Sequence, residues 1–247
     1  MEINNLLENL KIQILDEKNK EEFNSFVFIN LPNEFAITLG NYLRRILLSY
    51  INGVAILAVK IENGKETIKS EFTPLEGLLE TPPYLILNLK NLILKSKNND
   101  LKIDDVFKLN IDIDNNSDNE YIVTGKDVKG HEGLIEILNP NVYLATVSPK
   151  SILKIDLHCK NSWGFKKESD QKISDKEEGL IVIDSNYNPV KNVSFKVNLV
   201  VVDLNKQEEQ LILDIKTDGS ITPKEALMSA LKISKNINES LLGELEI

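Results

Sequence analysis

Cysteine is almost absent from this chain, and this and other absences exclude several classes of protein. Cys159 is the single cysteine, which excludes an intramolecular disulfide and a thiolate cluster around a metal ion. No apolar run approaches the roughly 20 residues of a membrane-spanning helix. The N-terminal sequence MEINNLLENLKIQ lacks the basic and apolar regions of a secretory signal. These absences predict a soluble, intracellular protein.

Positive charge is also scarce. The net charge is −9, the pI is about 5.0, and no long segment carries a basic stripe. This argues against direct, non-specific binding to nucleic acid, which requires many phosphates to be neutralised. The 247 residues, 42% of them hydrophobic, suffice for one large domain or two smaller ones with their own cores.

A two-faced helix is the strongest pattern in the sequence, over residues 34–50. At about 100° per residue, one arc of this helix is apolar and predicts contact with a core or another helix. That arc consists of Leu39, Leu43, Ile46, Leu47 and Tyr50. The opposite side carries Asn41, Arg44, Arg45 and Leu48, and is either a solvated outer face or a docking face.

Short alternating apolar segments predict strands along most of the remaining chain. These are residues 10–15, 23–31, 54–61, 66–72, 101–114, 120–123, 152–159, 193–203 and 210–216, the last two paired with each other. Pro82 and Pro83 exclude a regular helix through positions 82 and 83. The apolar segment 84–95 that follows could be a strand or a helix, and the alternation of Leu85, Leu87 and Leu89 favours a strand for its first half. The charged, apolar-poor residues 166–178 predict a mobile loop.

A second amphipathic helix begins near residue 222. Thr222 is suited to cap it, Pro223 to its first position, and Glu225 to close a capping box. Gly243 is predicted to end it. The helix carries one stripe of apolar and small residues: Leu227, Ala230, Leu231, Ser234, Ile237 and Leu241.

No constellation of residues suitable for catalysis is found in the sequence. The alternating acidic residues at 112–118 resemble a calcium loop, but Ser117 replaces the required glycine and Val123 the bidentate glutamate. A polar hairpin loop is therefore favoured over a metal site. His131 and His158 have no cysteine near them for zinc and no nucleophile as a partner.

Residues 38–49, TLGNYLRRILLS, resemble the TLGNALRRxLLS signature of the bacterial and plastid RNA polymerase alpha subunit. Five later segments resemble the same family in the same order. They are LNLK at 87–90, TGKDV at 124–128, LNPNVYLATV at 138–147, NPVKNV at 188–193 and TDGSITPKEA at 217–226.

The resemblance implies an α+β fold in two parts. A discontinuous dimerisation domain, residues 1–54 and 179–247, would combine an antiparallel sheet with two amphipathic helices. A strand-rich domain, residues 55–178, would be inserted into it and contact the large subunits. The shared style of the first and last thirds of the chain, a hairpin followed by an amphipathic helix, agrees with this division.

The resemblance also implies a function. The family's alpha subunit is a non-catalytic scaffold of DNA-directed RNA polymerase, a nucleotidyltransferase. It forms a homodimer that recruits the beta and then the beta-prime subunit, with omega and sigma in the same assembly. No cofactor is expected in this chain, because magnesium and zinc would lie in the large subunits. The compartment would be the bacterial cytoplasm or a plastid- or apicoplast-like organelle, with no binding to DNA or membrane.

Residue roles carried over from the family complete the hypothesis. The beta-binding surface would comprise Asn41, Arg44, Arg45, Leu48 and Ser49. The dimer interface would comprise Phe35, Leu39, Ile46, Tyr50, Leu227, Ala230 and Leu231, from four helices around a two-fold axis. Lys90 would contact beta-prime.

The sequence departs from the family pattern in four places. The family's GFG before the first helix is Glu34, Phe35 and Ala36 here, and Pro82 and Pro83 interrupt its REDxxEIxLNLK segment. About four additional residues lie near 65–69. The sequence also ends soon after the last helix, without the family's linker and carboxy-terminal DNA- and activator-binding domain. This is either a shortened form or a natural form without that module. If the chain is complete, it would not bind upstream promoter DNA.

Two other functions remain open at this point. One is a self-contained dimeric binding or regulatory protein built on the same core. The other is an enzyme with a small-molecule site in the inserted domain. Co-purification with a very large partner that carries an acidic metal site separates the polymerase scaffold from the self-contained dimeric protein.

Overall fold

The computed structural model describes residues 10–15, 22–32, 34–97, 101–130, 133–171, 177–203 and 206–245. Within these ranges the helices are α1 (Phe35–Ser49), α2 (Pro82–Leu89) and α3 (Pro223–Leu245). The first strands are β1 (Lys11–Ile14), β2 (Phe23–Leu31), β3 (Asn52–Glu62), β4 (Leu94–Ser96), β5 (Val106–Asn115), β6 (Tyr121–Thr124), β7 (Val128–Lys129) and β8 (Ile135–Ile137). The others are β9 (Tyr143–Val147), β10 (Ser151–Trp163), β11 (Phe165–Lys166), β12 (Leu180–Val182), β13 (Ser185–Asn186), β14 (Val190–Asp203) and β15 (Lys206–Thr217). This is the α+β class that the sequence predicts.

The chain divides into two compact units, and the first is discontinuous in sequence. Unit 1 comprises Met1–Ile51 and Asn188–Ile247, and unit 2 comprises Asn52–Tyr187. The chain therefore passes between the units at 51/52 and 187/188, where the sequence-based boundaries were 54/55 and 178/179.

Unit 1 is a four-stranded antiparallel sheet with α1 and α3 packed against it. The strand order is β1-β2-β15-β14, and the long β14–β15 pairing confirms the prediction for 193–203 and 210–216. Alternate residues of the central strands point toward the helices, because side chains alternate between the two faces of a sheet. The residues buried from these strands include Phe26, Phe28, Leu211, Leu213 and Ile215.

Helix α1 packs closely on the edge strand β14 because Gly40 has no side chain. A Cβ atom built on Gly40 would lie 2.6 Å from Cδ2 of Phe195. Leu43, Ile46 and Leu47 then complete the buried side of α1. The glycine of the TLGN motif therefore sets the distance between α1 and the sheet.

Replacing Gly40 with valine is expected to lower the free energy of unfolding by roughly 1–3 kcal/mol, because the added side chain overpacks a filled core. Urea unfolding at one fixed protein concentration measures this change. The same substitution in a Phe195→Leu background is the control, since the smaller side chain leaves more room. Equal losses in the two backgrounds would show that Phe195 is not the cause.

Unit 2 is built on a larger antiparallel sheet and has its own core. Its strands follow the order β7-β5-β10-β3-β4-β8, and β12 also pairs with β3. Two short pairs, β6 with β9 and β11 with β13, lie outside that path. The core contains Val59, Ile61, Leu153, Ile155 and Leu157 from the two longest strands of the sheet.

The structure corrects the prediction for residues 84–95. The segment begins with helix α2, not a strand, and Pro82 and Pro83 occupy its first positions. Proline is tolerated there because those N–H groups have no acceptor within the helix. Leu85, Ile86 and Leu89 are buried, so the same leucines satisfy a helical spacing as well as an alternating one.

Three smaller predictions also change. Residues 66–72 form no strand, and only Thr67 bridges to Glu62. Helix α3 continues through Gly243 to Leu245. In the predicted loop 166–178, Glu168–Asp170 forms a 3-10 turn, while residues 172–176 lie outside the described residues.

Candidate interaction surfaces of helices α1 and α3

The entry of α1 explains one departure from the family pattern. Glu34 precedes the helix with φ 65°, in the left-handed region where the family usually has glycine. The next departure, Ala36, is fully buried, and its N–H donates to Oε2 of Glu209 at 3.2 Å. A carboxylate from β15 therefore satisfies a free amide at the positive end of α1.

Replacing Glu34 with glycine is expected to raise the free energy of unfolding by about 1 kcal/mol. The left-handed conformation costs an L-residue about 1–2 kcal/mol, and the greater freedom of glycine in the unfolded chain offsets part of the gain. Urea unfolding measures the difference. Glu34→Ala is the matched control, since it removes the charge but keeps the Cβ atom. An equal gain in that variant would assign the effect to charge.

The NPVKNV motif holds the other end of α1. The Asn188 side chain is 5% exposed, and its amide donates to the carbonyl of Leu47 at 2.9 Å. Its Oδ1 accepts the N–H of Val190 at 2.8 Å. One asparagine thus joins the last turn of α1 to the start of β14.

The TDGSITPKEA motif positions α3 in the same way. Asp218 accepts the N–H of Ser220 at 3.0 Å in a tight turn, where Gly219 has φ 91°. Thr222 Oγ1 accepts the N–H of Glu225 at 3.3 Å, and Glu225 accepts the N–H of Thr222 at 3.0 Å. This confirms the predicted capping box, and the motif therefore fixes the first turn of α3.

The predicted beta-binding residues lie together on the outer surface of α1. Asn41, Arg44, Arg45 and Ser49 are exposed, and Leu48 is half-buried with its other side against the core. We call these five residues the arginine face. Arg44 Nε donates to the carbonyl of Val193 at 3.0 Å, which holds it toward β14. Arg45 has no hydrogen bond or ion pair to any other residue that the structure describes.

Ile37 belongs to this surface and was missed by sequence reasoning. It is 58% exposed and precedes Asn41 by one helical turn, on the same side of α1. Ile37 lies outside the apolar arc that the sequence predicts for this helix. The signal in the sequence is an isoleucine four residues before Asn41, on the side of the helix where most residues are polar.

The predicted dimer residues divide into exposed and buried sets. Phe35 is 44% exposed, Tyr50 53% and Leu231 37%, and Leu39 is half-buried. We call these four residues the helical flank. Helix α1 also packs against α3 within the same chain.

The remaining predicted dimer residues need correction. Ile46 is 3% exposed, Leu227 4% and Ala230 0%, all within the core of their own chain. These three residues pack beneath the exposed side chains and are not part of the helical flank. Periodicity identified their direction correctly but not the surface that covers them.

Lys90 lies at the carboxyl end of α2 and is exposed. The Asn88 amide donates to the carbonyl of Leu144 at 2.9 Å and fixes this helix on β9. Tyr84 and Leu87, 66% and 56% exposed, form an apolar surface on the same helix that strand-based reasoning did not reveal.

An ion-pair cluster stabilises the end of β10 in unit 2. Lys160 Nζ lies 2.7 Å from Oδ1 of Asp104, and Lys166 Nζ lies 5.0 Å from the centre of the Trp163 ring. The hydrogen bond from Lys160 lowers the pKa of the Asp104 carboxyl. These contacts hold the segment in place.

The described residues contain no group of three or more His, Cys, Asp or Glu side chains that could hold a metal ion. In the acidic loop, the Asn115 amide donates to the carbonyls of Asn119 and Ser148, as in a structural hairpin loop. His158 is buried, and His131 lies outside the described residues. None of the helices within those residues has the length and apolarity required to span a bilayer.

Comparison with known proteins assigns the family. The model of the RNA polymerase Rpb3/Rpb11 dimerisation domain matches residues 31–237. The DNA-directed RNA polymerase subunit alpha of Macrococcus caseolyticus is 36% identical over 227 residues, which are 92% of this chain and 68% of that protein. This chain belongs to the family of RNA polymerase alpha subunits. The alpha subunit of Staphylococcus saprophyticus is 35% identical with the same coverage. That of Trieres chinensis is 34% identical over 96% of this chain and 72% of its own length.

The motifs of the family resemblance occupy defined structural positions in unit 1. The TLGN segment forms α1, NPVKNV holds its last turn, and TDGSITPKEA begins α3. The matched domain contains both helices of unit 1 up to residue 237. This chain therefore combines the family's dimerisation domain with a strand-rich insertion, unit 2.

Proposed function

We propose that this chain is a non-catalytic scaffold subunit of DNA-directed RNA polymerase. It forms a homodimer through the helical flank and binds the beta subunit through the arginine face. Beta-prime then binds at Lys90 beside the apolar surface of α2. Magnesium and zinc belong to the large subunits, in the bacterial cytoplasm or an organelle of bacterial descent.

The observation that carries the proposal is that α1 exposes two chemically different surfaces. On one side, Phe35 and Tyr50 present aromatic rings that the chain itself leaves about half uncovered. On another side, Arg45 stands exposed beside the half-buried Leu48. An aromatic flank suits a second copy of the chain, and arginine next to leucine suits carboxylates on a different subunit.

Native mass spectrometry of the assembly purified on the tagged chain tests this proposal. The expected assembly contains two copies of the chain together with two very large subunits. An assembly that contains two copies and no large subunit would instead support a self-contained dimeric protein. A single copy without partners would contradict the scaffold function.

A further inference from the structure

We infer that helix α2 and the segment leading into it select between large subunits. The surface accepts a partner segment that is apolar and has a carboxylate near one end, and it rejects a segment that is charged along its length. The residues that make this selection are Leu79, Tyr84 and Leu87. This inference rests on the proposed function, which places beta-prime at Lys90, and it adds the chemistry by which that contact discriminates.

Three large apolar side chains are exposed around the start of α2. Leu79 and Tyr84 are each 66% exposed, and Leu87 is 56% exposed. Tyr84 and Leu87 are three residues apart and therefore share one side of the helix. Leu85 and Leu89 are fully buried, so α2 is apolar on its outer side as well as on its inner side. A helix that is apolar all round is normally covered on both sides, and exposed apolar clusters mark interaction sites.

Hydrogen bonds beneath this surface fix its position. The carboxylate of Glu80 accepts the hydroxyl of Tyr143 and, at 2.8 Å, the N–H of Thr146. The N–H of Leu79 donates to the carbonyl of Thr146 at 3.1 Å, and the amide of Asn88 donates to the same strand, β9, at 2.9 Å. Both ends of the surface are thus attached to β9 before a partner binds, which lowers the entropic cost of association.

This chain lacks the charges that the family pattern has at this surface. The pattern REDxxEIxLNLK has arginine, aspartate and glutamate where this chain has Leu79, Thr81 and Tyr84. All three residues are exposed, so these replacements add nothing to the core of the chain itself. An apolar side chain contributes free energy only when it is removed from water, and here a partner has to cover it.

Lys90 defines the charge of the partner. It is exposed at the carboxyl end of α2, and no ion pair joins it to another residue among those that the structure describes. A cation beside an apolar surface fits an apolar segment with a carboxylate near one end. A segment with charges opposite Leu79 and Tyr84 would have to bury them without partners, which costs binding free energy. The same surface therefore favours one large subunit and disfavours another.

Exchange of the family residues into this chain tests the selection. The variant carries Leu79→Arg, Thr81→Asp and Tyr84→Glu together. The probes are the beta-prime subunit that co-purifies with this chain and the beta-prime subunit of a relative whose alpha subunit has the full REDxxEI pattern. Each probe is titrated against the homodimer in complex with one and the same beta subunit.

The variant is expected to bind the co-purifying beta-prime roughly 10- to 100-fold more weakly, because three polar or charged groups would be buried against an apolar segment. Its affinity for the relative's beta-prime is expected to rise. A ratio of the two affinities that is the same for the variant and the unmodified chain would overturn the inference.

Leu87→Glu and Ile103→Glu form a matched pair, because both side chains are aliphatic and 56% exposed in unit 2. Leu87→Glu is expected to weaken binding of the co-purifying beta-prime by roughly 10-fold or more, and Ile103→Glu is expected to leave it unchanged. Urea unfolding checks that each variant is folded, and Tyr84→Glu alone replaces the triple variant if that one unfolds. Equal affinities for the matched pair would contradict a contact at Leu87.

The unmodified chain separates this inference from the proposed function. If no large subunit co-purifies with it, the scaffold function is wrong and the inference falls with it. If it captures its own beta-prime and the triple variant keeps the same preference, only the selection by α2 is wrong.

Discussion

Replacing Leu231 with aspartate is expected to convert the homodimer into monomers. Leu231 is 37% exposed on α3, one residue after the fully buried Ala230, and belongs to the helical flank. In a dimer formed through that flank, the aspartate would lie in an apolar seam without a cation to pair with it. Burial of an unpaired charge costs enough to remove most of the association free energy. Sedimentation velocity over a range of concentrations measures the loss.

The fold of the monomer is expected to survive this substitution. Leu231 lies outside the buried cluster of unit 1, which includes Leu227 and Ala230 from the same helix. Circular dichroism and urea unfolding check that α3 remains folded. Asn236→Asp controls for the added charge, and a Leu231→Asp protein that still sediments as a dimer would rule out the helical flank as the interface.

Replacing Arg45 with alanine is expected to weaken binding of the beta subunit by roughly 2–5 kcal/mol, if a desolvated carboxylate on that subunit loses its partner. Arg45 is available for such a contact, since no described residue of its own chain pairs with it. Arg44 differs, because its Nε already donates to the carbonyl of Val193. Titration of the purified beta subunit against the dimer measures the affinity.

Two comparisons make the Arg45 result specific. Arg45→Lys keeps the charge but loses the two-pronged geometry of the guanidinium group, so an intermediate affinity is expected. The homodimer is expected to be unaffected by either variant, because Arg45 is not in the helical flank. Unchanged binding of beta by Arg45→Ala would refute the assignment of the arginine face.

Local signals in the sequence were sufficient to predict α1, α3 and the β14–β15 pair. The helix predicted at 34–50 is observed at Phe35–Ser49, and the capping box of α3 forms as expected. These predictions succeeded because caps, turns and alternation act between residues that are close in the chain. The family resemblance, which the comparisons confirm, rested on motifs at these two helices and on four shorter segments between them.

Other features required the tertiary structure. The leucines of α2 fit a strand and a helix equally well, and the helix forms because two prolines are compatible with its first turn and its buried side meets the core of unit 2. Likewise, Glu34 enters the left-handed region because Pro32 and the buried Ala36 fix the path of the chain around it.

The sequence by itself determined which residues share a side of each helix, including those of the arginine face, and its motifs indicated the family. Only the tertiary structure decided that Ile46, Leu227 and Ala230 are covered by their own chain, while Phe35, Tyr50 and Leu231 remain exposed. Periodicity reports the direction of a side chain relative to the helix axis. What lies opposite that side chain depends on residues distant in the chain, such as the strands of unit 1, and no local pattern contains that information.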